Sequence, residues 1–295
     1  MSILVATDFS QNSIGALRFA ADFARRQSLD LKVIHVVDLA TSDNSWRILV
    51  ESPDEIERNA IKEARVRSEA FFEESVHDDL RPPRVEFLTP VGNPIEGIIA
   101  AAKAEMASLI VAGTKGASRV QELLLGSTAN RLVRQSDLPV VLCPPETEGA
   151  HLKTIVVPVD FSKASLESVR SAARLARQFD ARLRLMHAFV LPEITALQTS
   201  VANVSTQLQQ IAAGKKQQVD EFCAPAGLEG LDYTITIVQQ PPHLAIVDFA
   251  REQQADLVCM GSHGRRGWAR FFLGNTAEKV LRQTRCPIWI VHTLE

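Results

Sequence analysis

Two glycine-rich stretches hold the residues with the clearest capacity for chemistry. Gly113-Thr-Lys-Gly116 is followed after nine residues by Gly126-Ser127-Thr128, and Gly261-Ser-His-Gly264 after nine by Gly274-Asn275-Thr276. Both read G-x2-G-x9-G. At an average glycine usage of about 7%, two further glycines at fixed spacing arise about once per two hundred glycines. Glycine tolerates positive φ and lets the backbone approach a bulky anion closely. Gly126 and Gly274 each precede a helical pattern, and free amides at a helix start bind phosphate, the dipole adding roughly 0.3–2 kcal/mol. Ser127 or Asn275 is expected to cap that helix when no ligand is present. Asp8 and Asp160 each follow an apolar run and can accept hydrogen bonds from a ribose or an adenine. The bland alternative is that the glycines only make turns and that Asp-Phe-Ser only starts a helix. The paired aspartate and the repetition favour a nucleotide site.

The elements that must position these residues occur twice. Ile3-Leu-Val-Ala-Thr-Asp8-Phe-Ser10 matches Ile155-Val-Val-Pro-Val-Asp160-Phe-Ser162, and Leu31-Lys-Val-Ile-His35 matches Leu183-Arg-Leu-Met-His187, both at an offset of 152 (160 − 8). Leu109-Ile-Val-Ala-Gly113 matches Leu257-Val-Cys-Met-Gly261 at an offset of 148 (261 − 113), so four residues are missing from the second half between His187 and Gly261. So long a period reads as duplication of a whole domain. The boundary falls in Pro144-Pro-Glu-Thr-Glu-Gly-Ala-His151, giving domains over 1–145 and 152–295. In the first half, strands are predicted near 2–7, 31–37, 84–89, 108–112 and 139–143, and helices near 11–28, 54–78, 94–106 and 127–135. Runs such as Leu109-Ile-Val-Ala suit strands covered on both faces, as in a parallel sheet. The alternation of β and α predicts the α/β class, as two tandem doubly wound domains. Ligands of such folds bind beyond the carboxyl ends of strands at a switch point. That requires the first and fourth strands to be neighbours.

Composition narrows the classes. The chain has 295 residues, 46% hydrophobic and 23% charged, with a net charge of −3. No basic excess favours nucleic acid or an anionic membrane. The four cysteines form no C-x-x-C pair, so no metal site is expected. No run is long and apolar enough to span a membrane. MSILVATDFS has no signal-like leader, and a cytoplasmic location is expected. There is no Walker G-x-x-x-x-G-K-[ST], no G-x-G-x-x-G and no G-x-S-x-G elbow.

The G-x2-G-x9-G pattern after an apolar strand, with an aspartate after the first strand, resembles the universal stress protein family, once per half. Val33-Ile-His35-Val36-Val37, Ala255-Asp256-Leu-Val-Cys-Met-Gly261 and Glu278-Lys-Val-Leu-Arg-Gln-Thr-Arg-Cys-Pro287-Ile-Trp-Ile-Val291 add to it. The resemblance implies a five-stranded parallel sheet of order 3-2-1-4-5 in each domain. It implies a nucleoside held at Thr7, Asp8 and Val36, and at Val159, Asp160 and Ala188. Phosphates and ribose would be held at Gly113, Gly116, Gly126, Ser127 and Thr128, and at Gly261, Gly264, Gly274, Asn275 and Thr276. The ligand implied is ATP, AMP or ADP, with or without Mg2+, and the role a nucleotide-responsive stress regulator with little or no catalysis. Family members pair their last strands across a dimer. Here the two halves are expected to pair with each other, a homodimer being a further option, and the protein partner is unidentified.

Two departures stand out. Asn275 is bulkier than the usual hydroxyl residue, and Ser108 replaces the Asp256 of the second half, a change expected to affect only the loop. Phe189 and Trp268 add bulk near the second site. His35 and His187 are expected to be held by backbone at strand ends. His263, Arg265, Arg266 and Lys115 are either phosphate contacts or solvated loop charges. The charged face of 54–78 reads as solvated i,i+4 pairs. Two rival functions stay open: a slow ATPase or self-phosphorylating enzyme, and a nucleotide-free scaffold or lipophilic-ligand carrier.

Overall fold

The strand-like runs do form strands, and the central ones, such as Ser2–Ala6 and Leu257–Gly261, are almost wholly buried. A computed structural model describes residues 1–39, 52–114, 116, 125–190, 201–263 and 273–292. The chain divides into two units, Met1–Ala150 and His151–Glu295. In the first, the strands are β1 (Ser2–Ala6), β2 (Asp30–Ile34), β3 (Val85–Leu88), β4 (Ala107–Gly113) and β5 (Val140–Cys143), and the helices α1 (Ile14–Gln27), α2 (Pro53–Ser75), α3 (Pro94–Ala104) and α4 (Ser127–Gln135). All pair in parallel in the order 3-2-1-4-5. Ile3, Leu4 and Val5 of β1 lie between Leu31–Val33 and Leu109–Val111 and are fully buried. Helix α1 packs on α2 and α3 on α4, each pair covering one face of the sheet.

The second unit repeats this with β6 (Thr154–Pro158), α5 (Lys163–Phe179), β7 (Arg182–Phe189), α6 (Val201–Cys223), β8 (Tyr233–Gln239), α7 (Pro242–Glu252), β9 (Leu257–Gly261), α8 (Asn275–Gln283) and β10 (Ile288–Val291). Its strand order is again third, second, first, fourth, fifth. The long helices α2 and α6 already stand 148 apart (201 − 53), so the four-residue deletion falls between Phe189 and Val201. Strand β7 runs on to Phe189, whereas β2 stops at Ile34. Pro90 has no N–H to give the His35 carbonyl, whereas the matching Val238 has one and stays in the ladder, opposite Ala188.

Duplication preserved strain as well as sheet order. Three non-glycine pairs hold the left-handed region: Phe9 and Phe161 (φ 60° and 64°), Ser28 and Asp180 (53° each), and Met106 and Gln254 (48° and 50°). Such a conformation costs roughly 1–2 kcal/mol per residue, so packing must hold it. Phe9 lies tilted against His35 at 4.1 Å between centroids and carries the Arg67 guanidinium 4.4 Å above its ring. Phe161 lies on His187 at 4.8 Å.

The linker is irregular but anchored. Asp22 of α1 is fully buried and accepts from Arg25 (2.7 Å), Arg26 (2.9 Å) and the Ala150 N–H (3.0 Å). Burial pushes its carboxyl up, but the Arg26 and Arg25 bonds and the Ala150 amide outweigh this and hold it below the usual range. At Gly15, a Cβ would stand 2.0 Å from the Pro144 carbonyl oxygen, so only glycine lets α1 lie so close.

Candidate functional site

At the carboxyl ends of β1 and β4 the first unit opens into a cleft of about 410 Å3. The neighbouring of β1 and β4 supplies the switch point the sequence reading required. Thr7, Asp8, Val36, Gly113, Gly116, Gly126, Ser127 and Thr128 all line this one cleft. Asp38 lines it too, a residue the sequence reading did not single out. The volume is within the range of small-molecule sites, about 300–1,000 Å3.

One histidine shapes the nucleoside end. The Thr7 N–H donates to the Ile34 carbonyl at 3.0 Å, continuing the β1–β2 ladder by one step. The next step would join the Val36 N–H to the Thr7 carbonyl. Instead His35 Nδ1 donates to that carbonyl at 2.9 Å. The carbonyl can only accept, so Nδ1 carries the hydrogen. Burial pushes the His35 pKa down; the Thr7 carbonyl and Asp8 pull it up, and Arg67 adds to the fall, leaving it below the ordinary value. The ring is a fixed strut, and both backbone groups of Val36 are left without hydrogen-bond partners among the described residues. The Val36 side chain rests on Gly97 of α3, where a Cβ would stand 2.9 Å from Cγ2 and 3.1 Å from Cγ1.

The other end is the start of α4. The Gly126 N–H donates to the Thr114 carbonyl at 2.8 Å, closing the base of the glycine loop, and the Gly126 carbonyl accepts from Asn130 at 2.9 Å. The N–H groups of Ser127, Thr128 and Ala129 have no intrahelical acceptor, the usual state of a first helical turn, and these three residues line the cleft. One expectation is corrected here. Gly126 and Gly274 are themselves the N-caps, no side chain caps either helix, and Ser127 and Asn275 are the first helical residues. Nor do the motif glycines use positive φ: Gly126 is at −59° and Gly274 at −61°, and no described motif glycine is left-handed. What they offer is the missing side chain. At Gly116 a Cβ would stand 3.0 Å from Asp8 Oδ2, and at Gly261 2.6 Å from the Ala164 Cβ.

Asp8 is fixed by the turn that follows it. Its Oδ1 accepts from the Ser10 N–H (3.1 Å) and hydroxyl (2.6 Å). Asp160 Oδ1 accepts from the Ser162 N–H at 3.0 Å, while the Ser162 hydroxyl caps α5 by accepting from the Ser165 N–H.

The second unit repeats the wiring. The Val159 N–H donates to Met186 at 2.8 Å, His187 Nδ1 donates to the Val159 carbonyl at 2.7 Å, and the Gly274 N–H donates to Ser262 at 2.9 Å. Thus Val159, Asp160, Ala188, Gly261, Gly274, Asn275 and Thr276 hold the positions of their first-half counterparts. Gly264, Lys115, Arg265, Arg266 and Trp268 lie outside the described residues. The half-buried Phe189 ring carries the Lys215 ammonium at 5.5 Å. His263 Nδ1 meets the Ser262 hydroxyl at 2.7 Å, and burial pushes its pKa down. Asp256 does more than shape a loop. Its Oδ2 accepts from the Lys153 and Thr154 N–H groups, both at 2.8 Å, and so ties the start of β9 to the start of β6. Ser108 makes one weaker link, to the Ser2 carbonyl at 3.3 Å. No group of three or more His, Cys, Asp or Glu side chains that could hold a metal occurs among the described residues.

The universal stress protein family model matches residues 1–144 and again 151–292. A universal stress protein of Mycolicibacterium smegmatis is 24% identical over 98% of this chain and 96% of its own length. One from Bacillus subtilis is 30% identical over 48% of this chain and 96% of its own. A crystal structure of a universal stress protein from Archaeoglobus fulgidus superposes with a TM-score of 0.66 at 24% identity, covering 99% of this chain and 98% of that one.

Proposed function

Since the chain belongs to the universal stress protein family over both halves, we propose that it binds an adenine nucleotide and acts as a nucleotide-responsive stress regulator with little or no catalysis. The observation that carries this is the pairing of two unsatisfied backbone surfaces in one cleft: Val36 at the end of β2 and the first turn of α4. The Val36 N–H and carbonyl offer a donor and an acceptor side by side, which suits an adenine edge. Asp8 suits ribose hydroxyls. The α4 amides with Gly113, Gly116, Gly126, Ser127 and Thr128 suit phosphate oxygens. Mg2+ would arrive on the phosphates, since it keeps most of its water and needs few protein ligands.

In the second unit Val159, Asp160, Ala188, Gly261, Gly264, Gly274, Asn275 and Thr276 would serve the same ends. Binding would favour one conformational population and so alter contact with a protein partner. The reading places this in the cytoplasm. Among the described residues no helix is long and apolar enough to cross a membrane.

The test is direct. The purified chain is denatured and the supernatant chromatographed for ATP, ADP and AMP, and nucleotide-free chain is titrated with each by calorimetry. Bound nucleotide, weakened at least tenfold by Gly116→Ala with Gly126→Ala, supports the reading. A folded chain that carries no nucleotide and takes up none from millimolar ATP overturns it. ADP accumulating from ATP with the pure protein would replace the regulator by a slow ATPase.

A further inference from the structure

The glycine loop of the first unit has a second tether besides its base. Asn12, in the turn between β1 and α1, donates from Nδ2 to the Gly116 carbonyl at 3.0 Å, across 104 residues of sequence. Gly116 also faces Asp8, where a Cβ would come within 3.0 Å of Oδ2. A glycine peptide has no side chain to restrict it, so a carbonyl held from outside removes freedom that the loop would otherwise lose on binding a ligand. The loop base is closed identically in both units, by Gly126 on Thr114 and Gly274 on Ser262. The tether is not. The residue matching Asn12 is Ala164 (12 + 152), which has no donor and instead packs its Cβ where a Gly261 side chain would go.

We propose that Asn12 is a positioning residue that preorganises the Gly116 peptide for the phosphate part of the first unit's nucleotide. This rests on the nucleotide reading above. Asn12 acts through Gly116 and touches no adenine or ribose position, so its effect scales with the phosphates on the ligand.

The experiment uses the full chain with Asp160→Ala, so that binding to the first unit is read alone, and compares ATP with adenosine by calorimetry. Asn12→Ala is expected to weaken ATP about 3- to 10-fold, the range of one net hydrogen bond, and to leave adenosine unchanged. Asn12→Leu keeps the size and the neutrality but cannot donate, and is expected to behave like Asn12→Ala. Equal weakening of ATP and adenosine would mean a general structural role and overturn the proposal, as would unchanged ATP affinity in both variants. If Asn12→Ala does not fold, Asn12→Leu decides alone by the same ratio. Should the parent bind neither ligand, the nucleotide reading itself falls and this inference with it, a result distinct from a parent that binds ATP and a variant that does not distinguish the ligands.

Discussion

Replacing Gly97 by alanine tests how tightly the nucleoside end of the cleft is built. The new Cβ would stand 2.9 Å from Val36 Cγ2 and 3.1 Å from Cγ1, and Val36 is only 8% exposed. A β-branched side chain has little rotamer freedom with which to yield. Overpacking of this kind costs about 1–3 kcal/mol, against about 0.5–1 kcal/mol gained by alanine over glycine inside a helix. The expected net loss is about 0.5–2 kcal/mol. Val36→Ala alone removes two buried methyl groups and should cost about 1–2.5 kcal/mol. The double variant loses the methyls, keeps the helix gain and has no clash, so it should cost only about 0.5–1.5 kcal/mol, well under the sum of the singles. The second unit carries this very combination, Ala188 with Ala245, at the matching positions. The assay is urea unfolding of the full chain by circular dichroism, fitted with two transitions because two units need not unfold together. Additivity of the two changes within about 0.5 kcal/mol would refute the reasoning, since sites without contact behave that way.

Asp22→Asn should destabilise the first unit by about 1.5–3 kcal/mol at neutral pH, the worth of hydrogen bonds to a charged group. Because the native carboxyl of Asp22 is held below its ordinary value, its contribution is complete above the unfolded pKa of about 3.9 and is lost as pH falls through the native pKa. The gap between parent and variant in urea midpoint should therefore close in acid, and a gap that widens there would contradict the pairing. Gly261→Ala should destabilise the second unit by about 1–3 kcal/mol, because its Cβ would also come within 3.1 Å of the Ala164 backbone, which cannot swing aside; an unchanged melting temperature would count against the packing described. Burial pushes the Cys223 and Cys286 thiols up to about 12 and holds those of Cys143 and Cys259 well above the usual thiol range. At pH 8 only about one Cys286 in ten thousand would be thiolate, so iodoacetamide should label four cysteines in urea and essentially none in the native chain. Rapid native labelling of any of them would refute this.

Much of the fold was legible because the signals were long and repeated. Apolar runs fixed the strands, and the offsets of 152 and 148 located a second copy. The eight first-half residues that line the cleft could be gathered because strand ends are where loops of this architecture meet. What escaped was tertiary. Glycine's tolerance of positive φ is not used at the motif, and the left-handed residues are Phe9 and Phe161, whose rings lie against histidines distant in sequence. Capping by Ser127 failed by one residue, since the cap sits at Gly126 and the helix begins at once. Asn12 carries no motif, and only the contrast with Ala164 at the duplicated position marks it. The exchange of Val36 and Gly97 for Ala188 and Ala245 was likewise visible only as a pair, once Gly97 of α3 was known to lie against the Val36 side chain. Asp38 gave no signal at all, being one acidic residue after a strand.

The anchored linker bears on how the first unit can be separated from the second. A fragment cut after Pro145 would strip away the Ala150 amide while leaving Asp22 in its interior. Five further residues, to Ala150, would carry the missing donor with them. Studies of an isolated first half should therefore end at the latter point, and an unstable shorter piece would say more about its frayed tail than about the independence of the domain.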